Sequence, residues 1–163
     1  MSAIDTCLAN AEKHAAGFIW RELSAIPERP VAIVACMDAR LETGALFGLR
    51  EGDAHVIRNA GGVVTDDVIR SLTISQRLLG TREVMVIHHT DCGMTKFSAA
   101  ELRDAIESET GVRPRFAMKT FADLEGQVRR SVARLEESPF LPHKQAIRGF
   151  VYEVETGLLR EVD

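Results

Sequence analysis

The chain has 163 residues, 45% hydrophobic and 27% charged, with a net charge of −4. This is the size and balance of one soluble domain with its own core, and a basic surface for general nucleic-acid binding is excluded. No apolar run approaches the roughly 20 residues of a membrane span, and the N-terminus shows no basic stretch ahead of an apolar core, so neither an anchor nor a signal peptide is expected.

Residues 3 to about 25 read as an extended N-terminal helix. Leu8, Ala11, Ala15, Phe18, Ile19 and Leu23 form an apolar stripe, with Glu12, Lys13, Arg21 and Glu22 off it. Pro27 and Pro30 bracket a loop. Val31 to Ala35 is a short apolar run with the composition of a buried strand. Leu41 to Leu49 fits a short helix, and Glu51-Gly52-Asp53 a turn. Ala54 to Arg58 reads as a second strand, followed by a loop at Asn59-Ala60-Gly61-Gly62. Thr65, Asp66 and Asp67 are helix-start residues, and Gly80 is a stop. Val84 to Ile87 is apolar throughout, as expected of a parallel strand covered on both faces. Ser98 to Thr110 and Thr120 to Glu137 are amphipathic helices. Ile147 to Val154 and Leu158 to Val162 pair as a hairpin through Glu155-Thr156-Gly157.

Strands alternating with helices make residues 1–163 a single α/β domain. The expected architecture is a mostly parallel central sheet of about five strands, with an antiparallel edge strand and helices on both faces. In such sheets ligands sit beyond the carboxyl ends of the strands. Two stretches fall there. Cys36-Met37-Asp38-Ala39-Arg40 follows the first strand, and alternation along an extended segment puts Cys36, Asp38 and Arg40 on one side. His88-His89-Thr90-Asp91-Cys92-Gly93 follows the third strand.

His89 and Cys92 are three apart, so both reach one ion from a single turn. With Cys36 they offer two thiolates and an imidazole, a set that suits zinc (Zn2+) and leaves the fourth tetrahedral position open. Two thiolates cancel the charge of zinc, so bound water is acidified less than in an all-histidine site. Asp38 can accept the water proton while Arg40 holds it, or Asp38 can itself take the fourth position. A dinucleotide module is not indicated, because no Gly-x-Gly-x-x-Gly follows the first strand. A structural zinc-binding module is the non-enzymatic alternative. Three cysteines make no disulfide framework and fit the reducing cytoplasm. Cys7 reads as a small core hydrophobe. His88 reads as a core residue or one that supports the ligands from behind, His14, His55 and His143 as surface or structural residues, and Asp91 as a turn cap. Arg58-Asn59-Ala60-Gly61 is equally compatible with a plain turn and with a wall of the site.

These motifs resemble the β-class carbonic anhydrases. The family's Cys-x-Asp-x-Arg is Cys36, Asp38 and Arg40, and its His-x-x-Cys is His89 and Cys92. Gly52 to Gly61 is similar to the family segment that leads to Arg-Asn-Ala-Gly. The likeness runs closely from 31 to 93, is looser over the final strand pair, and is greatest to compact actinobacterial members. It implies a zinc lyase interconverting carbon dioxide with bicarbonate and a proton through zinc-bound hydroxide, with Cys36, His89 and Cys92 as ligands. Asp38 would accept a hydrogen bond from that hydroxide, held by Arg40. It implies dimers or multiples of dimers, with the N-terminal helix packed on the partner. Where some members carry a tryptophan three residues before the first cysteine, this chain has Ile33, so the bicarbonate-regulated site of those members is not expected. Gln76, Gln127, Gln145 and Tyr152 receive no role from any motif. Relatives in the compact branch hydrolyse carbonyl sulfide or carbon disulfide with the same zinc site. Residues around Gly61-Gly62-Val63 and Met94 would separate the substrates.

Overall fold

The computed structural model describes residues 2–19 and 22–163. Helix α1 spans Ala3–Ala16. Ser2 caps it reciprocally: its hydroxyl accepts from the Asp5 amide, and the Asp5 carboxylate accepts from the Ser2 amide. The apolar stripe predicts a helix to about residue 25, but the structure stops it at Gly17. Glycine is a poor helix former, and the Gly17 amide closes onto the carbonyls of Lys13 and His14. Of the remainder of the expected helix, Trp20 and Arg21 lie outside the described residues. No residue of α1 is buried. Cys7 is therefore exposed, not a core residue.

Five strands form one sheet: β1 (Val31–Cys36), β2 (His55–Asn59), β3 (Glu83–His89), β4 (Ile147–Tyr152) and β5 (Leu159–Val162). Their order is β2-β1-β3-β4-β5. All neighbours are parallel except β4 and β5, which form the expected antiparallel hairpin at the edge. The two continuous apolar runs, β1 and β3, lie side by side inside the sheet, where both faces are covered.

Alternation along these strands feeds two cores. Ala32, Val34, Val84 and Val86 pack on one face against Val68 and Leu72 of α3 (Asp66–Leu78) and Leu135 of α5 (Leu124–Glu137). Ile33, Ala35 and Ile87 pack on the other against Leu41, Phe121 and the short α2 (Thr43–Phe47). Helix α4 (Ala99–Thr110) buries no residue. Helix α5 begins later than its apolar pattern predicts, because Asp123 supplies the cap, accepting from the Gly126 amide at 2.9 Å. Among the described residues no helix is long and apolar enough to cross a membrane.

The topology places the site. The chain leaves β1 to add β2 on one side, then crosses back to add β3 on the other. At such a reversal the outgoing connections diverge and open a crevice at the carboxyl ends. Ala35 lies beside Ile87, so Cys36 and His89 leave the sheet at nearly the same level. Behind them runs the 3₁₀ turn Ala60–Gly62, which follows β2. Gly62 has φ +65°, and a Cβ there would stand 2.8 Å from both the Cys36 nitrogen and the Ile87 oxygen. Both obstacles are backbone, so no side-chain movement relieves them. Gly62→Ala should lower stability by about 2 kcal/mol or more, read as a reduced urea midpoint at unchanged m-value.

Candidate metal centre

Cys36 ends β1, His89 ends β3, and Cys92 follows three residues later. All three are buried, and their ligand atoms lie within 4.8 Å of one another. The two sulfurs are 4.0 Å apart. Tetrahedral zinc with Zn–S bonds of about 2.3 Å would hold two sulfurs about 3.8 Å apart. The ring of His89 is set for the same task. Its Nδ1 lies 2.8 Å from the Thr90 carbonyl, which can only accept, so Nδ1 carries the proton. That leaves the Nε2 lone pair free, and Nε2 is buried with no hydrogen-bond partner. An orphaned buried nitrogen facing two sulfurs fits a soft dication well.

The electrostatics agree. A hydrogen bond from Cys92 draws the Cys36 thiol down, helped by His89 and by the amides of Asp38 and Gly61. Cys92 is pushed up, because it donates to the Cys36 thiolate and burial opposes a second negative charge. Burial acts to lower His89, but its contact with Cys36, the Thr90 carbonyl and the charges of Cys36 and Asp38 outweigh this and raise it. Without a cation, the pair of sulfurs therefore keeps a proton that a metal would displace.

Asp38 stands at the edge of this cluster. Its two oxygens receive Nε and Nη2 of Arg40 at 3.0 and 2.9 Å, a bidentate pair, and Oδ1 also accepts from the Arg40 amide at 2.9 Å. These bonds hold the Asp38 carboxyl below the usual carboxylate range. Its Oδ2 is 3.7 Å from His89 Nε2. Of the two positions open to Asp38 from sequence, the structure has it on Arg40. Arg58 fixes the same loop from behind, donating from Nε to the Cys36 carbonyl at 2.9 Å and from Nη2 to that of Asp38 at 2.7 Å. Arg58 thus belongs to the support of the site and not to a plain turn. A cavity of about 270 Å³ opens in front of Cys36, Asp38 and Cys92, and Met37, Ala60, Met94 and Phe97 give it apolar walls.

Asp91, expected as a turn cap, is instead a second carboxylate on Arg40. No spacing in the sequence announces a contact across 51 positions. His88 points away from the cluster, fully buried, with Nε2 3.3 Å from the Ser131 hydroxyl and its ring edge-on to Phe121. Burial lowers it to about 4, so it is a neutral core residue. His55 bonds Ser75, and Gln76 holds the backbone of His143 through both ends of its amide. Gln127 contacts Ser131 and Arg130, and Gln145 accepts from the Lys144 amide. None of these glutamines, nor Tyr152, lines the cavity.

Comparison with known proteins gives the family. The carbonic anhydrase family model matches residues 31–117. The chain is 52% identical to β-carbonic anhydrase 1 of Mycobacterium tuberculosis, over 99% of both chains. It is 36% identical to a carbon disulfide hydrolase of Saccharolobus solfataricus, over 86% of this chain and 81% of that one. The crystal structure of a carbonic anhydrase from Streptococcus mutans superposes with a TM-score of 0.91 at 44% identity, covering 100% of this chain and 99% of the other.

Metal loading has a proton signature. Metal binds the deprotonated forms, and the raised Cys92 and His89 favour the protonated ones, so affinity must rise with pH. Titration of the metal-free protein with zinc at pH 7 should release at least about one proton per ion, and affinity should fall at least about tenfold per unit of acidification. Calorimetry in buffers of different ionisation enthalpy measures both.

Proposed function

Because this chain belongs to the β-carbonic anhydrase family, we propose that it carries out the reversible hydration of carbon dioxide to bicarbonate and a proton on a zinc ion held by Cys36, His89 and Cys92. One observation carries the metal assignment: two buried sulfurs 4.0 Å apart face a buried imidazole nitrogen that has no other partner. Bound there, zinc supplies the Lewis acidity that makes water nucleophilic near neutral pH. The residues of the chain do the rest. Cys36 and Cys92 offset the metal charge, and the Thr90 carbonyl fixes the tautomer of His89. The Asp38 carboxylate, 3.7 Å from His89 Nε2, accepts a hydrogen bond from the attacking water and turns its lone pair toward the cavity. Arg40 keeps Asp38 ionised and aimed. The apolar walls at Met37, Ala60, Met94 and Phe97 admit a small linear molecule and offer nothing to hold the charged product.

A second reading rests on a specific finding: carbon disulfide hydrolases are among the relatives, and the same apolar cavity suits carbon disulfide or carbonyl sulfide. The purely structural zinc module is disfavoured, since Asp38 lies on Arg40 beside an open cavity and does not complete the cluster. The chain acts as one domain and as a homodimer or a multiple of dimers. Support comes from α1, which leaves Ile4 and Leu8 exposed along a stripe that a second copy would cover. The odd, low count of three cysteines supports a cytoplasmic location.

Stopped-flow hydration of carbon dioxide, run beside hydrolysis of carbon disulfide and carbonyl sulfide on the zinc-loaded protein, decides between the substrates. Fast hydration with slow sulfide hydrolysis is expected, and the reverse ranking would overturn the carbon dioxide reading. Cys36→Ser and Cys92→Ser should emerge from dialysis without zinc, by metal analysis; retention of stoichiometric zinc by either would refute the ligand set. Asp38→Asn should keep zinc and lose about 100-fold or more in kcat/KM, because an uncharged amide accepts a weaker hydrogen bond and can present its NH2 donor to the water instead.

A further inference from the structure

Arg40 is shared between two carboxylates, one from each metal motif. Its Nε and Nη2 hold Asp38. Its Nη1 donates to Asp91 Oδ2 at 2.7 Å, and Nη2 also reaches the Asp91 carbonyl at 3.0 Å. Every guanidinium nitrogen is therefore engaged, and the planar group is gripped along two edges. The other oxygen of Asp91 takes the Lys96 ammonium at 2.5 Å, which ties the carboxylate down from its far side. Asp91 does this from a left-handed backbone position, φ +54°, one of two such non-glycine residues among those described. A strained position held by three polar contacts marks a constraint that the surrounding structure imposes.

We propose that Asp91 is a positioning residue that anchors Arg40, and through it keeps the Asp38 carboxylate beside the metal position instead of on it. The distances make this necessary. Asp38 Oδ2 is only 3.7 Å from His89 Nε2, so a small rotation carries it among Cys36, His89 and Cys92. The Arg40 amide restrains only Oδ1 of Asp38, and a guanidinium held only by Asp38 would move with Oδ2. Asp91 is fixed in the His89–Cys92 segment, so its grip on Arg40 refers the Asp38–Arg40 pair to the ligands themselves. The second motif thus brings the anchor of the first motif's acid–base pair along with two ligands.

The inference rests on the metal assignment above, and its test is separable from turnover. Cobalt(II) replaces zinc, and azide binding is followed in the visible spectrum. Asp91→Asn should retain one cobalt per chain, while azide affinity falls about tenfold because the released Asp38 competes for the metal. Loss of one negative charge would by itself tighten an anion, so the expected direction opposes simple electrostatics. In an Asp38→Asn background, the Asp91→Asn change should no longer weaken azide binding. Asp91→Glu should restore part of the loss. Unchanged azide affinity in Asp91→Asn, an equal fall in the Asp38→Asn background, or loss of cobalt from Asp91→Asn would each overturn the inference. A wild-type protein that takes up no cobalt would overturn the metal assignment with it. Full activity in Asp38→Asn with the azide coupling intact would remove Asp38 from catalysis and leave the anchor standing.

Discussion

Two cysteine sulfurs 4.0 Å apart in a buried site cannot both be ionised unless a cation lies between them. The rest of the structure is arranged around that constraint. In the protein alone, one thiolate is stabilised by a hydrogen bond from the other thiol and by backbone amides, and the second is pushed up. The buried Nε2 of His89 completes an arrangement that is unsatisfied by protein groups and complementary to a soft dication. Desolvation, which penalises the lone charges, is also what makes their attraction for a metal strong.

Bringing three candidate ligands together from two distant segments requires a rigid floor. The sheet supplies it, because β1 and β3 are adjacent, parallel and in fixed register. The turn at Ala60–Gly62 presses against the end of β1 so closely that Gly62 has no room for a side chain. Arg58 then clamps the carbonyls of Cys36 and Asp38, satisfying backbone acceptors where the strand ends and the ladder can no longer do so. Charge on these supports is directed at backbone and carboxylate, not at the ligand atoms. The ligands stay fixed while the cavity in front of them remains apolar and accessible.

Membership of the β-carbonic anhydrase family and this geometry meet in the Asp38–Arg40 pair. Its exposure is substantial, 47% for the Arg40 side chain, so it contributes little to stability and is better understood as an orienting device. Asp91 and Lys96 extend it into a chain of alternating charges that ends at the surface. Helix α1 has a different part. It forms on its own local signals, a capping box and a terminating glycine, and buries nothing within the chain.

How much of this was legible in the sequence follows from the range of each interaction. Strand order aside, the elements were readable because β1 and β3 are unbroken apolar runs and the caps Thr65 and Ser98 act within one turn. Cys36, Asp38, Arg40, His89 and Cys92 stand out in the sequence because each motif keeps its spacing locally, on a strand end and a single turn. The apolar stripe of α1 predicts a longer helix than forms, since the stripe continues past Gly17 while the helix does not. Cys7 is exposed and not in the core, because residue type says nothing of whether a helix has a core to meet. Only the tertiary structure decided that the orphaned face of His89 turns to the sulfurs and that Asp38 rests on Arg40. It alone brought Asp91 to Arg40 across 51 positions. The sequence determined which chemical groups are present and how each is presented by its own segment. Their convergence was left to the fold, because packing and register between distant segments carry no local signature.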